Sequence, residues 1–166
     1  MDNQSPQIET VATKCLESGD TNIKKKRVAK KLPVDVTQEE LLRIVRVARF
    51  KHHKLAYFLA WYTSARISEV LSIEARDINW KEQTILIRQG KGSKDRIVPL
   101  PEAFIEPMCE LLPLKKICKA RALQKAFKKD CDKSGVLAEK PSIHFHSLRH
   151  GFATHGLEKG MDITEL

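Results

Sequence analysis

Three short segments hold residues whose types and spacing could do chemistry. The first is Thr63-Ser64-Ala65-Arg66-Ile67-Ser68-Glu69. It puts an arginine at a break between two helical patterns, with a carboxylate three residues on. Glu69 can hold one end of the guanidinium while the other end faces an anion. The same spacing on an exposed helix is an ordinary i, i+3 ion pair worth about 0.3 kcal/mol. The second segment is Gly90-Lys91-Gly92-Ser93-Lys94-Asp95-Arg96. Its glycines permit a tight turn and close backbone approach, and Lys91 can project beyond the flanking strands. It lacks the spacing and following helix of a nucleotide phosphate loop, and a soluble hairpin turn is the plain alternative. The third is His146-Ser147-Leu148-Arg149-His150. On a helix, His146 and Arg149 share a face, and a titratable imidazole beside a permanent cation suits phosphate chemistry. A purely structural histidine is the competing reading. The pair His146 and His150 has no acidic or thiol partner at metal-ligand spacing, so no metal is expected.

Composition narrows the partner. The 166 residues carry 30 Lys+Arg against 21 Asp+Glu, a formal net charge of +9, which makes a polyanion the first partner to consider. No apolar run approaches the ~18–20 residues of a membrane span. The polar start Met1-Asp2-Asn3-Gln4 is unlike a signal peptide. Cys15, Cys109, Cys118 and Cys131 form no CxxC pair, which points to free thiols in a reducing compartment. A secreted disulfide scaffold, a membrane protein and a zinc module are excluded on these grounds.

The elements that must position the three segments follow from periodicity. Residues 1–32 read as a flexible polar tail running into a basic linker, Lys24-Lys25-Lys26-Arg27-Val28-Ala29-Lys30-Lys31. That run is either a solvated linker or a sequence-independent phosphate contact. Residues 33–166 form the ordered domain. Thr37 and Glu40 have capping-box spacing, and the helix they open places Leu41, Ile44, Val45 and Ala48 on one face, with Arg43 and Arg46 on the other. A second helix is predicted over about 52–63, with Leu55, Phe58, Leu59 and Tyr62 as its apolar stripe, and a short third over 67–73. Thr84–Arg88 and Arg96–Leu100 are β-branched runs joined by the glycine-containing turn, hence a hairpin. A basic helix over about 115–129 turns Ile117, Ala120, Leu123, Ala126 and Phe127 inward, and a last helix spans about 146–157. The fold class is mainly α with a small antiparallel β-hairpin, an α+β arrangement.

Taken together and in this order, the three segments resemble the catalytic domain of the tyrosine recombinases, the phage integrase or Xer-like site-specific recombinases. Thr63–Glu69 looks like the family's first arginine box, Gly90–Leu100 like its lysine hairpin, and His146–His155 like its HxxR helix. The resemblance implies that Arg66 and Arg149 grip the scissile DNA phosphate. It implies that Lys91 protonates the leaving 5′ oxygen and that His146 acts as general acid/base on the attacking oxygen. Glu69 and His150 would support them from behind. Lys94, Arg96, Arg43, Arg46 and the run Lys24, Lys25, Lys26 and Arg27 are expected on the DNA backbone. Duplex DNA and further recombinase subunits are the implied partners. No metal or small-molecule cofactor is implied, and the location would be cytoplasmic, nucleoid-associated when DNA is bound.

Two departures from the family pattern bear on these expectations. Ser64 stands where the family has glycine, so a helix-ending turn there would carry a left-handed serine at a cost of about 1 kcal/mol. The sequence stops at Leu166, before the segment in which the family carries a second histidine or tryptophan and then its nucleophilic tyrosine. The expectation is therefore a C-terminally incomplete catalytic domain that binds DNA and is unable to cleave alone. Its two tyrosines, Tyr57 and Tyr62, precede Arg66 and do not map onto the nucleophile. The alternative is a non-enzymatic DNA-binding protein or remnant acting at recombination sites.

Overall fold

A computed structural model describes residues 34–88, 95–101 and 104–158, all within the unit Leu32–Leu166. The basic run at 24–31, Pro33, and the hairpin tip with Lys91 and Lys94 lie outside the described residues. Helix α1, Gln38–Val47, starts where the capping box predicts. The Glu40 amide donates to Thr37 Oγ1 at 3.2 Å, and the Thr37 amide donates to Glu40 Oε2 at 2.8 Å. Leu41 and Ile44 of this helix, and Ala48 just after it, are buried in the core.

Helix α2, Lys51–Tyr62, is the hub: it packs against α1, α3 (Ile67–Ser72), α4 (Ala120–Lys133) and α6 (Ser147–Glu158). Being covered on several sides, it buries Leu55, Ala56, Tyr57, Leu59, Ala60 and Trp61. Its core face is therefore wider than the predicted stripe, and Phe58 and Tyr62 are only half-buried. Inside it, the Tyr57 hydroxyl donates to Asp130 Oδ2 of α4 at 2.9 Å, and the Trp61 Nε1 donates to the Val36 carbonyl at 2.8 Å.

The sheet has three antiparallel strands in the order β1-β2-β3: Ile78–Asn79, Thr84–Ile87 and Arg96–Pro99. Ile85 pairs with both Ile78 and Val98, and Ile87 pairs with Arg96 at the foot of the hairpin. Strand β1 adds to the predicted hairpin; two residues are too few to show an alternating pattern. The molecule is mostly helical with this small sheet, as the sequence predicts.

One element differs. The helix expected from Lys115 starts at Ala120, after a 3-10 turn at Leu114–Lys116. The chain turns again over residues 117–119, so the helical period does not reach Ile117, which is 47% exposed instead of facing inward. Leu123 and Phe127 are buried as expected. A short helix, α5 (Val136–Glu139), then leads toward α6. No described helix is long and apolar enough to cross a membrane.

Candidate phosphate-binding site

The end of α2 sets the site's first arginine. Thr63 closes the helix, its hydroxyl donating to the Leu59 carbonyl at 2.6 Å. Ser64 then takes a left-handed backbone with φ 51°. This reversal separates α2 from α3 and leaves Arg66 in extended backbone immediately before Ile67. A left-handed serine is strained, so Ser64→Gly should raise stability by about 0.5–1 kcal/mol, read as a higher denaturation midpoint. An unchanged or lower midpoint would mean that the turn is not strained.

Glu69 is the centre of the site's charge. It is buried, and its Oε2 accepts from the Arg66 amide at 2.9 Å and from Arg96 Nη2 at 2.7 Å. Its Oε1 faces Arg66 Nη1 at 3.5 Å. Burial pushes its carboxyl up, but the hydrogen bonds from Arg96 and the Arg66 amide, with the charges of both arginines, outweigh burial and hold it below the ordinary carboxylate range. Arg96 opens β3, so this pair roots one foot of the β2–β3 hairpin. The other foot is rooted by Arg88, whose Nε and Nη2 both lie 2.8 Å from Asp77 Oδ1.

Helix α6 brings the second arginine. It begins at Ser147, so His146 stands just before the helix rather than within it, and the Arg149 amide donates to the His146 carbonyl at 3.1 Å. Arg149 Nη1 is buried with no hydrogen-bond partner. Burial first, then the charges of Arg66 and Arg96, pull Arg149 below the ordinary arginine value; Glu69 opposes them. His146 is shifted down by burial and then by His150, Arg149, His144 and Arg66, so the site favours its neutral imidazole. Its ring meets that of His150 edge-on at 5.1 Å between centroids and stacks at 6.3 Å with that of His144. His144 Nδ1 lies 3.2 Å from Ser147 Oγ.

An open cleft of about 650 Å³ lies beside these groups. Arg66, His144 and His146 line it together with Arg121, Gln124, Lys125 and Lys128 of α4, with no acidic residue among the lining. The four α4 residues were not singled out as site residues, although their i, i+3, i+4, i+7 spacing places them on one face of a helix whose opposite face is apolar. The apolar positions on the opposite face, Leu123 and Phe127, give the stronger sequence signal, that of a core-facing helix. The link from Arg96 to Glu69 was also missed, because it joins residues 27 apart in sequence.

The other candidate residues are placed as follows. Arg43 makes a two-pronged pair with Glu139 at 2.8 and 2.7 Å, tying α1 to α5, and Arg46 is exposed on α1. Lys24, Lys25, Lys26, Arg27, Lys91 and Lys94 fall outside the described residues. Tyr57 is sealed in the core, its phenol pushed far up by burial and then by Asp130. Tyr62 packs against Phe58 and Trp61 at 4.5 and 4.8 Å between ring centroids. Among the described residues, no group of three or more His, Cys, Asp or Glu side chains is gathered to hold a metal ion.

This geometry can be set beside known proteins. A model described as the Phage integrase family matches residues 35–166. The tyrosine recombinase XerA of Pyrococcus horikoshii is 30% identical over 159 residues, covering 89% of this chain and 56% of that protein. The crystal structure of XerA recombinase superposes with a TM-score of 0.62 at 22% identity, over 81% of this chain and 55% of that one. XerH site-specific recombinase bound to its difH substrate, in a pre-cleavage complex, gives 0.63 at 25% identity, over 84% and 47%. The chain spans about half the length of the curated relatives it matches.

Proposed function

The chain belongs to the phage integrase family of tyrosine recombinases, and on that premise we propose that it is a duplex-DNA-binding module that grips the scissile phosphate for site-specific recombination. One observation carries the reading: the buried, unpartnered Arg149 Nη1 beside Arg66 and Arg96 is a cationic pocket with a donor to spare. A phosphodiester supplies the missing acceptor. The pentacoordinate transition state carries more negative charge than the diester, so Arg66 and Arg149 stabilise it more than the ground state. His146, as the neutral imidazole, takes the proton of the attacking oxygen as its bond to phosphorus forms. Lys91 gives a proton to the 5′ oxygen as the bond between that oxygen and phosphorus breaks. Arg121, Lys125 and Lys128 continue the cationic track along the backbone, joined by Arg46, Lys94 and the run at 24–27. Further recombinase subunits complete the assembly on DNA.

Neither Tyr57 nor Tyr62 serves as the attacking phenol. A tyrosine hydrogen-bonded to Asp130 inside the core cannot meet a phosphate without unfolding the helices around it. The 166-residue chain should therefore bind a fluorescent 30-base-pair duplex with an affinity that falls steeply as salt rises. On a nicked suicide substrate it should leave no covalent adduct. Binding that is absent or indifferent to salt would overturn the reading, and a phosphotyrosyl adduct would overturn the assignment of both tyrosines.

The imidazole gives a separate check. Because the native site disfavours the His146 imidazolium, the unfolded chain takes up that proton first. Its share of stability is present above the ordinary histidine value of 6.5 and is lost as pH falls from there through the depressed folded value. Nitrogen-15 NMR should find the His146 midpoint below 6.5 in the free chain, and duplex binding should raise it, because a bound phosphate favours the cation. A midpoint that duplex leaves unmoved would place the phosphate elsewhere.

A further inference from the structure

The Glu69 carboxylate poses an electrostatic problem for the clamp that Arg96 solves. A buried carboxylate beside Arg66 is a competitor for the phosphate: it can occupy the guanidinium and cancel its charge. In the structure its close partner is not the Arg66 side chain. Arg96 Nη2 lies 2.7 Å from Oε2, whereas Arg66 Nη1 stands at 3.5 Å from Oε1, and Oε1 has no hydrogen-bond partner. The Arg66 side chain is 38% exposed, while that of Glu69 is 4% exposed. Glu69 thus anchors the Arg66 backbone through the amide and spends its charge on Arg96, which reaches across from the foot of the hairpin.

We propose that Arg96 is a positioning residue: it holds Glu69 as its own counter-ion, so that the Arg66 guanidinium stays free to take a DNA phosphate. This rests on the phosphate-clamp reading above. Three arginines against one carboxylate leave the site with two net positive charges. Without Arg96 only one remains, and the carboxylate has Arg66 as its nearest cation. Removing the carboxylate as well restores two, now without a competitor. An electrostatic role therefore predicts that deleting Glu69 rescues the deletion of Arg96. A role confined to bracing the hairpin predicts the reverse, because the double variant has lost both halves of the brace.

The test is a binding series on the same 30-base-pair duplex at one fixed salt concentration, with circular dichroism to verify folding. Arg96→Gln should weaken binding roughly three- to tenfold. Arg96→Gln combined with Glu69→Gln should return to within about twofold of the parent, and Arg96→Lys, which keeps the charge, should also stay within about twofold. A double variant no tighter than Arg96→Gln would overturn the proposal. So would Arg96→Lys binding as weakly as Arg96→Gln, and this arm disturbs the fold least. Arg66→Gln is run alongside. Weakening by Arg66→Gln but not by Arg96→Gln would overturn this proposal alone. Indifference to Arg66→Gln would remove the clamp itself, and this proposal with it.

Discussion

Replacing Gly151 with alanine should cost the fold about 3 kcal/mol and take the Arg149 side of the site with it. Gly151 lies on α6 where that helix meets α2 and the start of the described chain. A Cβ there would run into the Val36 carbonyl oxygen and stand 2.6 Å from Trp61 Nε1. Neither atom can yield cheaply. The Val36 oxygen is backbone, held next to the capping box of α1, and it already accepts the Trp61 indole at 2.8 Å. The Trp61 ring is fully buried. Either the indole bond breaks, at about 1–3 kcal/mol for a buried donor left without a partner, or α6 moves off α2. The second outcome displaces Arg149 and His146 from Glu69 and Arg66, so duplex affinity should fall with stability. Gly135 is a useful contrast. Its φ of +79° is the constraint there and a Cβ would meet nothing, so Gly135→Ala should cost only about 1 kcal/mol, from backbone strain. Urea denaturation of the two variants separates steric from conformational need. A Gly151→Ala midpoint equal to that of the parent would show that α6 and α2 have room to spare.

What could be read before folding divides along a physical line. Signals that are local in sequence were legible. The capping box at Thr37 and Glu40 needs only residues three apart, and the left-handed turn at Ser64 sits between two periodic segments. The hairpin is bounded by β-branched runs that pair with each other. Features set by packing from several directions were not legible. Helix α2 has no single apolar stripe because four helices cover it, so Tyr57 and Trp61 could not be picked out as its buried anchors. The start of α4 depends on the turns after Pro113, and no propensity of Lys115 or Lys116 announces them. The site shows the same division. Arg66, His146 and Arg149 stand in short segments that one window singles out as candidates, and the fold brings them near one another. The Arg96 fork on Glu69 and the cationic stripe of α4 exist only once the sheet and the helices have been brought together.

Replacing Arg149 with methionine should move stability and binding in opposite directions. In the free chain Arg149 is a liability. Its Nη1 is buried without an acceptor, and it stands among like charges, Arg66 and Arg96, which with burial depress its affinity for a proton. Exchanging a poorly compensated buried cation for an apolar side chain of similar length is commonly neutral or stabilising. Methionine fills the space and leaves no polar atom to satisfy, so the free variant should be more stable by about 1 kcal/mol. With duplex present the order should reverse. The parent gains stability on binding because the phosphate supplies the acceptor and the charge that Arg149 lacks, and charge-assisted bonds of this kind are worth about 1.5–3 kcal/mol. The variant forgoes that gain, so duplex affinity should drop at least about tenfold, about 1.4 kcal/mol. Melting both proteins with and without saturating duplex reads the two effects together: a higher Tm for Arg149→Met alone, and a smaller duplex-induced rise. Arg88→Met is the matched control, because its guanidinium is already paired twice by Asp77 and should gain nothing by removal. If Arg149→Met melts below the parent in the absence of DNA, then the arginine is satisfied in the free protein and its strain is not what draws the phosphate in. A site that stores unfavourable charge until its ligand arrives has a simple signature, namely that the substitution that stabilises the empty protein is the one that disarms it.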